Sequence, residues 1–286
     1  MILKKLIPKY WLIRTKKTFD PPFGFDSAEY NKENWYDYPI KDYNYKFNEW
    51  AFRGEDYSQY KNKPVNVCLG DSFTVNIGGP IEHSWPAQLS KNFNIPTLNF
   101  GIDGAGNDII KLLYNYLIDY FDVQNTFVMY SFFHRRYNNS SKSLVHNGCL
   151  DDHENFSYFE NNKLKNVYYT FLPPWCWSDG EKDYISSKHE SHYIFQYKHY
   201  DLNFLNNNRF LFTSSKRYNN AKVQGWPTYK EFIDNKPLED WLYKEIFVTQ
   251  FDNLFRCANR DGFHLNYDGN KMVCDYFLSQ VNRTPN

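Results

Sequence analysis

Val65-Asn66-Val67-Cys68-Leu69-Gly70-Asp71-Ser72-Phe73-Thr74 is the stretch on which the fold turns. A short apolar run that breaks at Gly-Asp-Ser predicts a buried strand ending in a turn, with a serine held out at its carboxyl end. A serine hydroxyl is a weak nucleophile by itself and needs a base within hydrogen-bond reach, itself oriented by a third group. Near the far end of the chain, Asp261-Gly262-Phe263-His264 places a carboxylate and an imidazole three residues apart. Together the two stretches predict an active site.

Outward from this strand the pattern is regular. A helix from about Trp85 to Asn92 and a strand over Thr97–Phe100 are predicted next. The glycine loop Gly101-Ile102-Asp103-Gly104-Ala105-Gly106 leads into a helix from about Asn107 to Tyr120, whose apolar residues recur at three and four positions, and a third strand covers Thr126–Phe133. Strands alternating with helices predict βαβ units and a parallel sheet, hence an α/β class with three α/β/α layers. Beyond it the spacing predicts a strand over Asn166–Leu172, a helix over about Ser187–Leu205, a strand over Asn208–Thr213, a helix over Leu238–Phe251 and a closing helix over Asn266–Val281. The domain organisation is an N-terminal arm over residues 1–62, packed on a domain over 63–283 with a large insertion at about 137–207.

Composition narrows the classes. Acidic and basic residues balance at 33 each, so no global field favours nucleic acid, and no nucleic-acid partner is expected. Five cysteines, widely spaced and without a Cys-x-x-Cys pair, read as free thiols in the cytoplasm or another reducing compartment, with Cys68 and Cys274 in the core. The first residues carry six positive charges before Asp20, but their apolar runs are broken by charges and Pro8. Neither a spanning helix nor a signal peptide fits them. A strap with solvated lysines is the preferred reading of residues 1–17 over contact with an anionic membrane surface. His189 and His192 lack companion ligands at metal spacing, so solvated helix positions are expected and no metal site. Trp175 and Trp177 fit core or lid packing better than stacking on sugar rings.

Gly70-Asp71-Ser72-Phe73-Thr74, Ser84-Trp85-Pro86, Asn99-Phe100-Gly101-Ile102-Asp103-Gly104 and Asp261-Gly262-Phe263-His264-Leu265-Asn266 followed by Gly269 resemble, in order, blocks of the SGNH (GDSL) hydrolase family. Asn48–Gly54 also resembles an upstream segment of some members. The resemblance covers about 64–134 and 257–282 and implies an SGNH, flavodoxin-like fold acting as a serine esterase without a cofactor. Ser72 would be the nucleophile, His264 the general base and Asp261 its orienting partner, while the backbone N–H groups of Ser72 and Gly104 would hold the oxyanion. The family's third block, Gly-x-Asn-Asp, is absent: the third strand runs Tyr130-Ser131-Phe132-Phe133-His134-Arg135-Arg136. His134 stands where the oxyanion-hole Asn belongs. His134 or Arg135 would then donate instead, or bind a substrate carboxylate or phosphate, against the plainer reading of Arg135-Arg136 as a strand-exit charge pair. Asn107 reads as a helix cap in preference to a catalytic donor. The family implies a small acyl ester substrate, acetyl above all, on a carbohydrate. Transfer to a sugar hydroxyl, or a non-catalytic binding or structural protein on the same fold, are the alternatives; oligomeric state is not legible.

Overall fold

The computed structural model describes residues 25–26, 43–77, 79–133, 135–138, 143–146, 166–173, 179–189, 264–265 and 267–283. Its centre is a four-stranded parallel sheet of β1 (Pro64–Gly70), β2 (Thr97–Gly101), β3 (Asp122–Tyr130) and β4 (Val167–Phe171), in the order β2-β1-β3-β4. Strand β1 is buried from Val65 to Gly70, as a strand covered on both faces must be, and so it reads as a nearly unbroken apolar run. β4 comes from within the stretch read as an insertion.

After β1 the chain forms α1 (Ser72–Val75) and α2 (Trp85–Ser90), and between β2 and β3 it forms α3 (Asn107–Tyr120). Because β2 lies on one side of β1 and β3 on the other, right-handed crossovers put α2 and α3 on opposite faces of the sheet. The last helix, α5 (Tyr267–Val281), packs beside α2, which completes three α/β/α layers. Aromatic rings fill the α2–α5 side: Trp85 and Phe127 lie 5.0 and 5.3 Å from Phe277, and Phe127 stacks on Tyr168 at 5.3 Å. At the β2 edge, Trp50, Phe52 and Tyr57 are buried in the same core, with Phe52 and Tyr57 edge-on to Phe100. Cys68 and Cys274 are buried free thiols.

Several boundaries differ from the expected ones. β3 begins at Asp122, before its apolar run, where its residues alternate between exposed and half-buried. It ends at Tyr130, ahead of the expected Phe133, because the Ser131 N–H goes to the Asn107 side chain. A helix, α4 (Asp179–Lys188), precedes most of the stretch 187–205 over which one was expected, and His189 lies just outside it. The remainder of that expected helix, the strand over 208–213, the helix over 238–251 and residues 1–24 lie outside the described residues. A hairpin of Arg135–Asn138 with Ser143–His146 follows β3, and Phe25–Asp26 pairs with Tyr43–Asn44.

The topology locates the site. The chain leaves β1 for β2 on one side and returns to β3 on the other, a switch of direction at whose carboxyl ends α/β sheets bind ligands. Close backbone packing fixes α1 beside it. A Cβ on Gly101 would lie 2.6 Å from Val75 N and 2.9 Å from the Thr74 carbonyl carbon, so α1 rests directly on the end of β2. Gly101→Ala is expected to destabilise the protein by about 2–3 kcal/mol through this overpacking, read as a lowered urea midpoint at unchanged slope.

Candidate active site

Residues Asp71 to Val75 turn the end of β1 into a helix start. Asp71 is the N-cap: its Oδ1 accepts from Phe73 N at 3.1 Å, and its carbonyl accepts from Thr74 N and Val75 N at 3.0 Å each. Ser72 is thus the first helical residue. Its Oγ lies 2.9 Å from His264 Nε2, a contact made between residues 192 apart in sequence. The His264 ring packs against Phe73 at 4.8 Å, so one face of the imidazole is fixed by the residue after the serine.

First-turn N–H groups of a helix have no intrahelical acceptor. Among the described residues, neither the Ser72 N–H nor the Gly104 N–H meets an acceptor, and Gly104 takes φ +70°, a conformation that favours glycine. Of the other expected site residues, Asp261 and His134 lie outside the described residues.

Asp71 is the electrostatic centre of the turn. Its carboxyl is fully buried, and burial raises its pKa above the ordinary value of 3.8. Arg135, the Ser131 hydroxyl, the Phe73 N–H and His264 all act to lower it. Ser131 Oγ donates to Asp71 Oδ2 at 2.7 Å, and Arg135 Nη1 lies 3.2 Å from the same oxygen. The Arg135 guanidinium also covers the Phe132 ring at 4.1 Å. Arg135 therefore has an internal carboxylate partner directly before Ser72, a pairing that its place in the sequence did not announce.

Two expectations are corrected here. Asn107 does not cap α3, since Gly106 occupies the N-cap position. Instead its fully buried amide ties α3 to the end of β3, with Nδ2 donating to Ser131 O at 3.0 Å and Oδ1 accepting from Ser131 N at 2.8 Å. The backbone beyond a strand end needs new partners, and an amide side chain supplies both a donor and an acceptor. His189 is buried and not solvated: its Nδ1 lies 3.3 Å from Tyr169 OH, and its ring packs on Phe171 and Tyr184. Among the described residues no group of three His, Cys, Asp or Glu is placed to hold a metal ion.

Sequence reasoning missed the residues that hold the far end of α1. Asn76, in the left-handed conformation at φ 64°, ends the helix. Arg53 is buried there and donates to Val75 O at 3.0 Å and Asn76 O at 2.6 Å, carbonyls that a four-residue helix leaves over, and to Gly79 O at 2.8 Å in the turn beyond. Asn76 Nδ2 donates to Pro80 O at 2.7 Å, and Asn270 on α5 reaches the Asn76 side chain. The Gly-Asp-Ser motif announced the serine; nothing in local pattern announced partners 23 and 194 residues from Asn76.

No protein-family model matches the chain, and no curated protein matches it. Among described residues no helix is long and apolar enough to cross a membrane. Among solved structures, the chain is similar to the crystal structure of a member of the lipolytic protein G-D-S-L family from Veillonella parvula DSM 2008, with 12% identity and a TM-score of 0.37 over 77% of this chain and 100% of that one.

Proposed function

We propose that the chain is a serine ester hydrolase acting on a small acyl ester, acetyl above all, carried by a carbohydrate. The observation that carries the reading is the 2.9 Å approach of Ser72 Oγ to His264 Nε2 at the switch point of the parallel sheet. Nucleophile and base within hydrogen-bond reach are what covalent acyl transfer requires. The choice of substrate follows the family that the motifs resemble.

In this reading Ser72 Oγ attacks the ester carbonyl carbon as its proton passes to His264 Nε2. The oxyanion that forms is held by the Ser72 and Gly104 N–H groups, a contribution of about 3–4 kcal/mol per donor in comparable sites. His264 then protonates the leaving alkoxide, and the C–O bond breaks to leave an acyl-serine. Water, deprotonated by the same imidazole, releases the acid and restores Ser72. Asp261, three residues before His264, is assigned to hold the imidazole in the tautomer that leaves Nε2 free to accept.

The test is hydrolysis of an aryl acetate, then of acetylated oligosaccharides, by the purified chain, with intact mass measured after a fluorophosphonate. The reading expects turnover and a single phosphonyl adduct at Ser72. A wild-type protein that neither turns over an acetyl ester nor takes the adduct would overturn it.

A further inference from the structure

We propose that Asn270 is the positioning residue that sets the Ser72–His264 distance. The proposal rests on the esterase reading of that pair. It begins with a long-range problem: Ser72 is fixed to the end of β1, whereas His264 arrives on a separate loop just before α5. Something must hold the two loops at one spacing, because an error of about 1 Å in such a pair costs on the order of 100-fold in rate.

Asn270 is fully buried in the first turn of α5, and three of its side-chain bonds run to three different segments. Its Nδ2 donates to Leu265 O at 2.9 Å, one residue past His264, and to Asn76 Oδ1 at 2.9 Å, four residues past Ser72. Its Oδ1 accepts from Trp85 N at 2.8 Å, one of the first-turn N–H groups of α2. One planar amide thereby bridges the nucleophile segment, the base segment and the helix that follows the nucleophile.

The chemistry selects an amide. The Leu265 carbonyl can only accept, and the Trp85 N–H can only donate. Asn76 Nδ2 is already committed to Pro80 O, so Asn76 presents its oxygen to Asn270. The position therefore needs two donated hydrogens and one accepting oxygen on a short side chain, which Asn supplies and Asp, Ser or Ala does not. In Asn270→Asp the shape is kept, but a carboxylate oxygen faces two acceptors.

The experiment measures kcat and KM for an aryl acetate in Asn270→Ala and Asn270→Asp, at a temperature where circular dichroism shows both folded. Leu113→Ala serves as control, a cavity in the buried face of α3 in the opposite layer. The expected result is a 10- to 100-fold loss of kcat with KM within threefold in both Asn270 variants, while Leu113→Ala loses melting temperature and keeps kcat. Folded Asn270 variants with kcat within threefold of wild type would overturn the assignment, as would an equal loss in Leu113→Ala. Should the wild type itself be inert toward acetyl esters and the fluorophosphonate, the esterase reading fails and the positioning claim is judged separately. Its readout is then the His264 ring resonance in spectra of histidine-labelled protein, assigned with His264→Gln. Asn270→Ala must move that resonance in the direction that Ser72→Ala does; a resonance unmoved from wild type sinks the claim.

Discussion

Ser72→Ala is expected to lower kcat for an aryl acetate by at least about 10⁴-fold, and His264→Ala by a similar factor, with the double variant no worse than either single one. The expectation follows from the contact itself. With Oγ and Nε2 at 2.9 Å, serine without the imidazole keeps its proton, and imidazole without the serine has no nucleophile to activate. Two groups that act as one unit give non-additive losses, so the double variant carries the information. Losses that multiply would show two independent contributions and would break the proposed mechanism. Stability should respond little: the Ser72 hydroxyl is a single small group, and its removal should move the melting temperature by no more than about 2 °C. His264→Ala also removes a ring packed on Phe73, so its melting temperature should fall further than that of Ser72→Ala. Activity and stability then separate, as catalysis requires and a structural turn serine would not.

The central strands were legible because burial on both faces writes itself as apolar runs, and α3 because a half-buried helix writes itself at three- and four-residue spacing. Their ends were less legible. β3 begins with Asp122–Asn125, which carry no apolar run to mark a strand, and it stops before Ser131, where the Asn107 amide replaces the ladder. Asn107 itself shows why: an Asn beside a glycine loop fits a cap by local preference, but a pair of acceptor and donor 24 residues away is satisfied better by the same amide. Of the site, Ser72 and His264 carried motif signals, and the structure brings them together. Asp71, Arg53 and Asn270 carried none that pointed to their partners, since each partner is set by tertiary packing and not by spacing.

Arg135→Ala is expected to cost about 3 kcal/mol at pH 7, more than any surface arginine would, because it leaves the fully buried Asp71 carboxylate without its charge partner. Even with Arg135 present, burial outweighs that attraction and raises the Asp71 pKa above 3.8. Without Arg135 the value must rise further. Between the unfolded and the raised native pKa, the native state holds a proton that the unfolded chain has lost, so stability falls as pH rises through that window. The deficit of Arg135→Ala should therefore be largest near neutrality and shrink as pH falls toward 4, measured by urea unfolding across that range. Asp71→Asn is the discriminating partner. Its amide oxygen can still cap α1, its Nδ2 can donate to the Ser131 hydroxyl once that hydroxyl turns to accept, and the partly exposed guanidinium left behind can turn to water. It should stay within about 1 kcal/mol of wild type. In the Asp71→Asn background, Arg135→Ala should then cost about 2 kcal/mol less than in wild type. An equal cost in both backgrounds would mean that Arg135 stabilises through its packing on Phe132 and not through its charge. Asp71 would then need another source of compensation for holding a carboxylate one residue before Ser72.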